Sequence, residues 1–564
     1  MSDTNAHSIG WQAASQTGVV AGGGAEAVAA GVGLLARGGN AADAAAATIL
    51  ALNVTDHGAC SIGGEVPVIV YDAARRETKV LCGQGRAPLS PAAVEWYMAH
   101  GIPPKGDIKI APVPAVVDLV VTLLQRYGTA TFADAVAPAL ALLDAGREGW
   151  QPRLAVTLRK LVEAEQGTPG SRTDKLQAAS NRFYGRAGQP LDVADALEEY
   201  YVKLGGFLRR ADLAAHFTPV EDPVTTDYRG YTVCKCGPWT QGPYLCQALR
   251  LLAGFDLKAM GALSADAVHT VIEAIKLAMA DRDEYYGDPA FVDVPLAALL
   301  SEAYAALRRP LIDMQRASLE ARPGDPRAMQ PLKGPGVVRP GVGGTTTCLV
   351  ADRWGNVVAA TPSANVEDFD GGPAGVTYSN RLVSFNTTPG HPNCIQPGKR
   401  PRITLTPTLV LKDGRPIAAI SVAGGDLQDQ VSLQLLLDFA EFGMLPAAAV
   451  TTARFATGHH QDSFDPNRDR AQAFGPAGSL IAGAGLSREV ADELARRGHR
   501  LQTMASPIGA PVMLAIDQAS GTLYAAGDPA AGRHAAACPI EKNLASGLKT
   551  ENQTPSHKGT KKKT

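Results

Sequence analysis

Between residues 323 and 344 the chain becomes a run of proline and glycine that no hydrophobic core can use. The run includes Gly334-Pro335-Gly336 and closes on Gly341-Val342-Gly343-Gly344. A segment so poor in large side chains is expected to be mobile. Its far end changes character: residues 345–351 are rich in threonine and valine and read as a strand. The turn Asp352-Arg353-Trp354-Gly355-Asn356 then returns the chain along 357–361, which is a β-hairpin pattern. Any fold must therefore take a loose strap that ends by opening a strand.

On the N-terminal side of the strap, 19–24 is a short extended run entering a glycine turn. Residues 25–37 follow with helical apolar spacing and stop at Gly38-Gly39-Asn40. A second helix over 43–52 carries mostly alanine on its faces, with five alanines in ten residues, so it must pack closely on something. Residues 66–71 and 79–82 read as paired strands. From about 110 to 330 the pattern is mainly helical, at 115–127, 132–145, 154–165 and 267–281, with a turn into a strand at 227–233. Beyond the hairpin, strands are expected at 404–411 and 417–422, and helices at 430–441 and 488–497. Residues 1–15 read as a flexible N-terminus, and about 545–564, with Lys561-Lys562-Lys563, as a disordered basic tail.

Composition removes several functional classes. The 564 residues carry 53 Lys plus Arg against 55 Asp plus Glu, so no basic face points to a nucleic acid. A 45% hydrophobic content is too high for general disorder. No window of 18 or more apolar residues occurs, so no membrane partner is expected. Residues 1–16 lack a basic-then-apolar pattern, and the 8 cysteines are scattered. Together these lead to an expectation of a cytoplasmic globular enzyme.

Gly343-Gly344-Thr345-Thr346-Thr347-Cys348 carries the chemistry. A threonine hydroxyl is a poor nucleophile without a base beside it. Cleavage before Thr345 would make the new α-amine that base, with an unperturbed pKa of about 8. β-Branching restricts χ1 and so the directions the hydroxyl can take. Glycine at 344 would permit the backbone distortion that brings Thr345 onto the preceding carbonyl. Read alone, the same residues also fit an ordinary glycine loop feeding a strand.

The wider sequence resembles the γ-glutamyltransferase family of N-terminal-nucleophile hydrolases, from about 17 to 528. The resemblance is carried by Leu34-Leu35-Ala36-Arg37-Gly38-Gly39-Asn40-Ala41-Ala42-Asp43, by Ser61-Ile62-Gly63-Gly64 and by Asp227-Tyr228-Arg229-Gly230-Tyr231. His269 with Glu273, Ala280-Asp281-Arg282 and Gly287-Asp288-Pro289 follow in order. Thr345-Thr346, Gly355-Asn356, Gly398-Lys399-Arg400-Pro401 and Gly424-Gly425 complete it. The resemblance implies an α/β four-layer αββα sandwich formed by two autoproteolytic fragments, 1–344 and 345–564, associated as a heterodimer. Whether that pair dimerises further is left open. Gly344 and Thr345 would flank the cut, with the nucleophile ten positions before Gly355. Thr346 would help position it, Ser363 would contact its amine, and Asn365 the amine or the substrate. Gly424 and Gly425 would supply the oxyanion-hole amides; on their own they also fit a plain strand-end turn. No cofactor and no metal are implied.

Departures from the family pattern fall on acyl recognition. The family arginine that grips a glutamyl α-carboxylate aligns with Gln84, and the acid that holds the α-amino group aligns with Ser384. Two carboxylate-binding serines align with Ile403 and Thr404, and a usual histidine with Thr347. An ammonium without its carboxylate is costly to bury, which argues against a glutamyl α-amino group. Arg86 and Arg381 are instead candidates for two-pronged carboxylate binding, although for each a solvated or salt-bridged surface arginine is the more ordinary reading. The expected function is hydrolysis of a small acid-bearing amide through an acyl-enzyme of altered specificity. The alternatives are a true γ-glutamyl hydrolase or transferase, and an unprocessed binding homologue.

Three other patterns carry less. Gly22-Gly23-Gly24-Ala25-Glu26-Ala27 loosely fits a dinucleotide loop, but Asp43 opens a helix where a strand end is needed. His269 and Glu273 form half a metal site with nothing in the sequence to complete it, and His459-His460 with Asp462 read as a loop. Cys234 and Cys236 should share one strand face as small packing residues.

Overall fold

The computed structural model describes residues 9–333 and 345–539. Gly344, most of the glycine strap and the 545–564 tail lie outside the described residues. Strands enter as β1 (Gln12–Ser15), β2 (Gly18–Gly22), β3 (Val66–Asp72) and β4 (Glu77–Gly83), then β5 (Val220–Glu221), β6 (Val224–Tyr228) and β7 (Tyr231–Lys235). After the strap come β8 (Cys348–Asp352), β9 (Val357–Ala360), β10 (Thr408–Lys412) and β11 (Arg415–Ala423). The C-terminal part adds β12 (Phe455–Ala456), β13 (Ser479–Gly483), β14 (Arg500–Met504), β15 (Ala510–Asp517), β16 (Thr522–Gly527) and β17 (His534–Ala537).

Two seven-stranded sheets result, ordered β17-β2-β8-β9-β3-β4-β5 and β1-β16-β15-β11-β10-β7-β6, with a small sheet β12-β13-β14 beside them. Neighbours in both large sheets are antiparallel. Each large sheet interleaves strands from both sides of the strap. β8 and β9 fill the centre of the first sheet between β2 and β3, and β10 pairs with β7 in the second.

Period-two alternation sorts the side chains into layers. Val19, Ala21, Ile69, Leu349, Ala351 and Ala359 of the first sheet meet Leu409, Ala419, Val512 and Leu514 of the second. The alternate residues Val20, Val68, Val70, Val350 and Val358 face outward onto helices. Those helices include α1 (Ala25–Ala36), α2 (Ala41–Thr55), α3 (Val116–Tyr127) and α4 (Phe132–Ala145). The second sheet is covered by α5 (Pro243–Leu252), α6 (Ala265–Tyr285) and α7 (Gln428–Ala440). The order helix, sheet, sheet, helix is the expected αββα sandwich.

The alanine helix α2 is buried from Ala41 to Asn53. Asn40 caps it through Ala42 and Asp43, and the Asp43 side chain returns to the Asn40 amide. Its small faces let α1 approach so closely that a Cβ on Gly31 would lie 2.3 Å from Thr48 Oγ1. Two sequence expectations need correction. Gln12–Ser15 is not flexible but pairs with β16 along its length, because an edge strand offers it a full ladder of backbone partners. The described start of the 323–344 segment is likewise anchored: Gly324 N–H donates to Asp281 (2.8 Å), and Asp325 and Gln330 exchange backbone bonds. Cys234 and Cys236 do share a face, buried between the sheets.

Candidate active site

Thr345 stands just before β8, at the centre of the first sheet. Three backbone and side-chain contacts fix the threonine triplet. Thr346 N–H donates to Pro362 O (3.0 Å), Gly23 N–H donates to Thr347 O (3.2 Å), and Thr346 Oγ1 donates to Asp56 Oδ2 (2.6 Å). Asp56 follows the last turn of α2 and also accepts from Gly24 N–H (2.9 Å). This explains the glycines after β2: a Cβ on Gly23 would lie 2.0 Å from Asp56 Oδ2 and 2.5 Å from Thr346 Oγ1. Close backbone approach, not a cofactor, requires them. Arg533 completes this side, with Nη1 3.8 Å from Asp56 and Nη2 donating to Thr345 O at 3.4 Å.

The Thr345 hydroxyl is buried between two groups. Ser363 Oγ lies 3.4 Å away, and the Gln428 amide 3.1 Å away on the other side. With that amide oriented to satisfy its neighbours, its oxygen accepts from Thr345 Oγ1 and from Gly425 N–H (3.3 Å). Its nitrogen donates to Thr404 O (3.0 Å) and Val422 O (3.3 Å). Gln428 opens α7 directly after the Gly424–Gly425 turn, whose φ angles are 146° and 61°. Both values favour glycine. Asp426 pins the turn: it pairs with Arg282 of α6 and accepts from Ser463 N–H (2.9 Å). Burial pushes the Asp426 carboxyl upward, but Arg282, His460 and Ser463 outweigh it and hold it below the usual carboxylate range. One turn on, burial raises Asp429 to about 6 against the opposing pull of Lys235, 2.6 Å away.

Behind Ser363 stands a buried ion pair. Ser363 and Glu65 exchange two backbone bonds of 2.9 Å. Arg381 Nη2 donates to Ser363 Oγ (2.8 Å) and its Nε to Glu65 Oε1 (2.5 Å), while Ser379 Oγ donates to Glu65 Oε2 (3.0 Å). Both side chains of the pair are 0% exposed. Burial raises the Glu65 carboxyl, and Arg381 opposes that rise.

The Gamma-glutamyltranspeptidase family model matches residues 27–151 and 144–538, nearly the whole chain. The chain belongs to that family. The glutathione hydrolase proenzyme of Bacillus subtilis (strain 168) is 29% identical over 543 residues, covering 88% of this chain and 87% of the relative. A solved structure described as LmbA2991HD is 32% identical, with a TM-score of 0.82 over 95% of this chain and 100% of that one. Cephalosporin acylase from Bacillus halodurans is 26% identical, with a TM-score of 0.76 over 95% of this chain and 99% of that one. As a family member the protein is an N-terminal-nucleophile hydrolase, an enzyme of amide bonds.

Within this γ-glutamyltranspeptidase frame, the sequence-derived residues divide. Thr345, Thr346, Ser363, Gly425 and Arg381 are joined by the contacts above, and Gly424 forms the same turn. Asn365 adopts a positive φ of 54° and its carbonyl accepts from Asn380 Nδ2 (2.5 Å). Gln84, Ser384 and Thr404 are buried, and Gln84 Oε1, Ser384 Oγ and Thr404 Oγ1 have no hydrogen-bond partner among the described residues. Arg86 is drawn elsewhere: its guanidinium lies 4.7 Å over the Phe217 ring, lowered in pKa by burial and by Arg400. Sequence reasoning missed Asp56, Glu65, Gln428 and Arg533. Glu65 alone left a signal, an acid at the head of a β-branched strand; the others are brought in by tertiary folding.

His269 and Glu273 gain a third neighbour that the sequence did not offer, His499. The possible ligand atoms of the three lie within 4.8 Å of one another. His269 Nδ1 is 2.8 Å from His499 Nε2, and Glu273 is paired with Lys276 and with Arg322 (2.9 Å). Two cations on the sole carboxylate make this a satisfied ion-pair network rather than a cation site. His459 supports a loop, accepting from Gly478 N–H (2.9 Å).

Proposed function

We propose that the chain cleaves itself before Thr345 and acts through the exposed terminus as a threonine amidohydrolase with altered acyl recognition. The observation that carries this is the Thr345 hydroxyl, buried between Ser363 Oγ and the Gln428 amide beside the Gly424–Gly425 turn. In the first step Thr345 Oγ attacks the carbonyl of residue 344 and the amide becomes an ester, which water hydrolyses to free the α-amine. In turnover that amine takes the hydroxyl proton as Oγ attacks a substrate amide. The oxyanion takes the backbone amides of Gly424 and Gly425, displacing the Gln428 oxygen from the Gly425 N–H, and the amine proton passes to the departing nitrogen. Water then releases the acid. The large and small pieces stay together as a heterodimer, a reading supported by the interleaved sheets.

The side chains around Thr345 favour an acyl group without a free α-amine. Ser384 is neutral, and the carboxylates around the site are already engaged, Glu65 by Arg381, Asp426 by Arg282 and Asp56 by Thr346 and Gly24. A substrate ammonium would therefore be desolvated without a counter-charge. Polar oxygens of the acyl group have Arg381 Nη1 to meet, which is buried and without a partner among the described residues. Gln84 and Thr404 offer further neutral partners. The second reading, γ-glutamyl hydrolysis, is favoured by the glutathione hydrolase relatives. Release of a chromogenic amine from matched anilides, with and without an α-amino group on the acyl side, decides between them. Faster turnover of the desamino anilide supports altered recognition; robust turnover of the γ-glutamyl anilide overturns it.

A further inference from the structure

At the end of the sandwich remote from Thr345, the hairpin turns β3–β4, β8–β9, β10–β11 and β15–β16 line a cleft of about 430 Å³. Both large sheets and both sides of the strap contribute to it. β11 gives the separation from the nucleophile's end: its nine residues run from Arg415 at the cleft to Ala423 beside the Gly424–Gly425 turn, about 30 Å. The rim is tied together, since Tyr71 Oη donates to Gly414 O across the sheets (3.1 Å) and Gln518 Nε2 to Pro416 O (2.5 Å). Arg76, Arg353 and Arg415 line the cleft from three different turns, and all three are exposed. Among the described residues none of them has an ion pair or a side-chain hydrogen bond, whereas the adjacent Arg75 pairs with Asp72 at 2.9 Å. Arg76 also holds a φ of 54°, a left-handed conformation that few side chains adopt without strain. Two acids share the cleft, and both are occupied. Asp352 is 2% exposed and accepts from the Ala41, Trp354 and Asn356 N–H groups at 2.8, 2.9 and 3.0 Å. Asp517 accepts from Ser520 Oγ (2.6 Å) and Ala519 N–H (2.9 Å). Trp354 is 53% exposed, and the Arg353 guanidinium lies 5.5 Å from its ring centre, so cation and aromatic surface are presented together.

We propose that this cleft binds a nucleoside polyphosphate, with its phosphates on Arg76, Arg353 and Arg415 and its base against the Trp354 ring. The chemistry of the lining selects the class. A guanidinium presents five N–H donors in a fixed fork that fits phosphate oxygens two at a time. Three such forks on separate turns suit a chain of several anionic groups, while a lone carboxylate would occupy only one of them. An exposed indole beside those cations gives a planar base a stacking face. The site is one of binding only, and it stands apart from the chemistry at Thr345.

The test is calorimetric titration of the full chain with metal-free ATP, inorganic triphosphate and adenosine at about 0.1 M salt. ATP is expected to bind one-to-one with a Kd below about 1 mM, and adenosine at least about ten-fold more weakly. The triple variant Arg76→Ala, Arg353→Ala, Arg415→Ala should lose about 100-fold or more in ATP affinity, and each single variant about ten-fold. Trp354→Ala should weaken ATP about ten-fold while leaving inorganic triphosphate unchanged, the mark of a stacked base. Thr345→Ala should bind ATP as wild type does, which separates this cleft from the nucleophile. No saturation by about 10 mM ATP, undiminished binding in the triple variant, adenosine bound as tightly as ATP, or an equal loss of ATP and triphosphate in Trp354→Ala would each overturn the proposal. Loss of binding in Thr345→Ala would move the ligand to the active site and overturn it too.

Discussion

At Thr345, oxygen and methyl group do different work. Thr345→Ala is expected to give an uncut chain with activity down by about 10³-fold or more, since the attacking atom is gone. Thr345→Ser keeps the oxygen and loses only the χ1 restriction, so it should still cleave, with kcat/KM within about 100-fold of wild type. Gly23 sets the opposite kind of constraint. Gly23→Ala puts a methyl 2.0 Å from Asp56 Oδ2, so the Thr346–Asp56 bond must break. We expect slow or absent maturation on denaturing electrophoresis, with little change in far-UV circular dichroism. Glycine is demanded here by a side chain that folds in from α2, which a sequence shows only as spacing. That is why Gly22-Gly23-Gly24 could be mistaken for a phosphate loop, and why Asp56 was not foreseen.

At the scale of elements, period and composition disclosed most of the architecture. The alanine faces of α2 implied a close partner, and α1 is that partner. The threonine-valine run and its glycine turn became β8 and β9. Boundaries drifted where tertiary contacts took over: β8 begins at Cys348 because Thr345–Thr347 are held by Gly23, Asp56 and Pro362 instead of by a ladder. Gln428 escaped notice because nothing in a glutamine at a helix start announces that its amide bridges a hydroxyl and a glycine N–H. The same helix supplies a stability test. Asp438 lines a small apolar cavity with Leu257, Val268, Val271 and Phe455. Burial pushes its carboxyl up to about 7, opposed by Arg454. A carboxyl raised in the folded state takes up a proton on folding, so stability is lost as pH rises from about 4 to 7. Asp438→Asn should therefore match wild type near pH 4 and exceed it by about 2 kcal/mol at pH 8. Calorimetry at both pH values checks this, and an equal difference at the two would refute it.

For the whole molecule, the important property is that neither side of the strap owns a large sheet. β8 lies between β2 on one flank and β9 on the other, while β1 closes the second sheet against β16. A cut before Thr345 therefore leaves both cores intact. The two pieces should co-elute in native gel filtration and separate only in denaturant. This interleaving was not readable from spacing, because antiparallel strands hundreds of residues apart carry no local mark of their pairing. The order and identity of many short motifs carried the family, and the family implied the sandwich. The acyl pocket is where sequence reasoning reached least far: Arg86 and Arg381 looked alike along the chain, yet one stacks on Phe217 and the other is locked to Glu65 and Ser363. The most direct measurement of the central claim is the intact mass and N-terminal sequence of the shorter fragment from purified wild-type protein. The account predicts a fragment that opens Thr345-Thr346-Thr347-Cys348; an intact chain, or a fragment opening at any other residue, would contradict it.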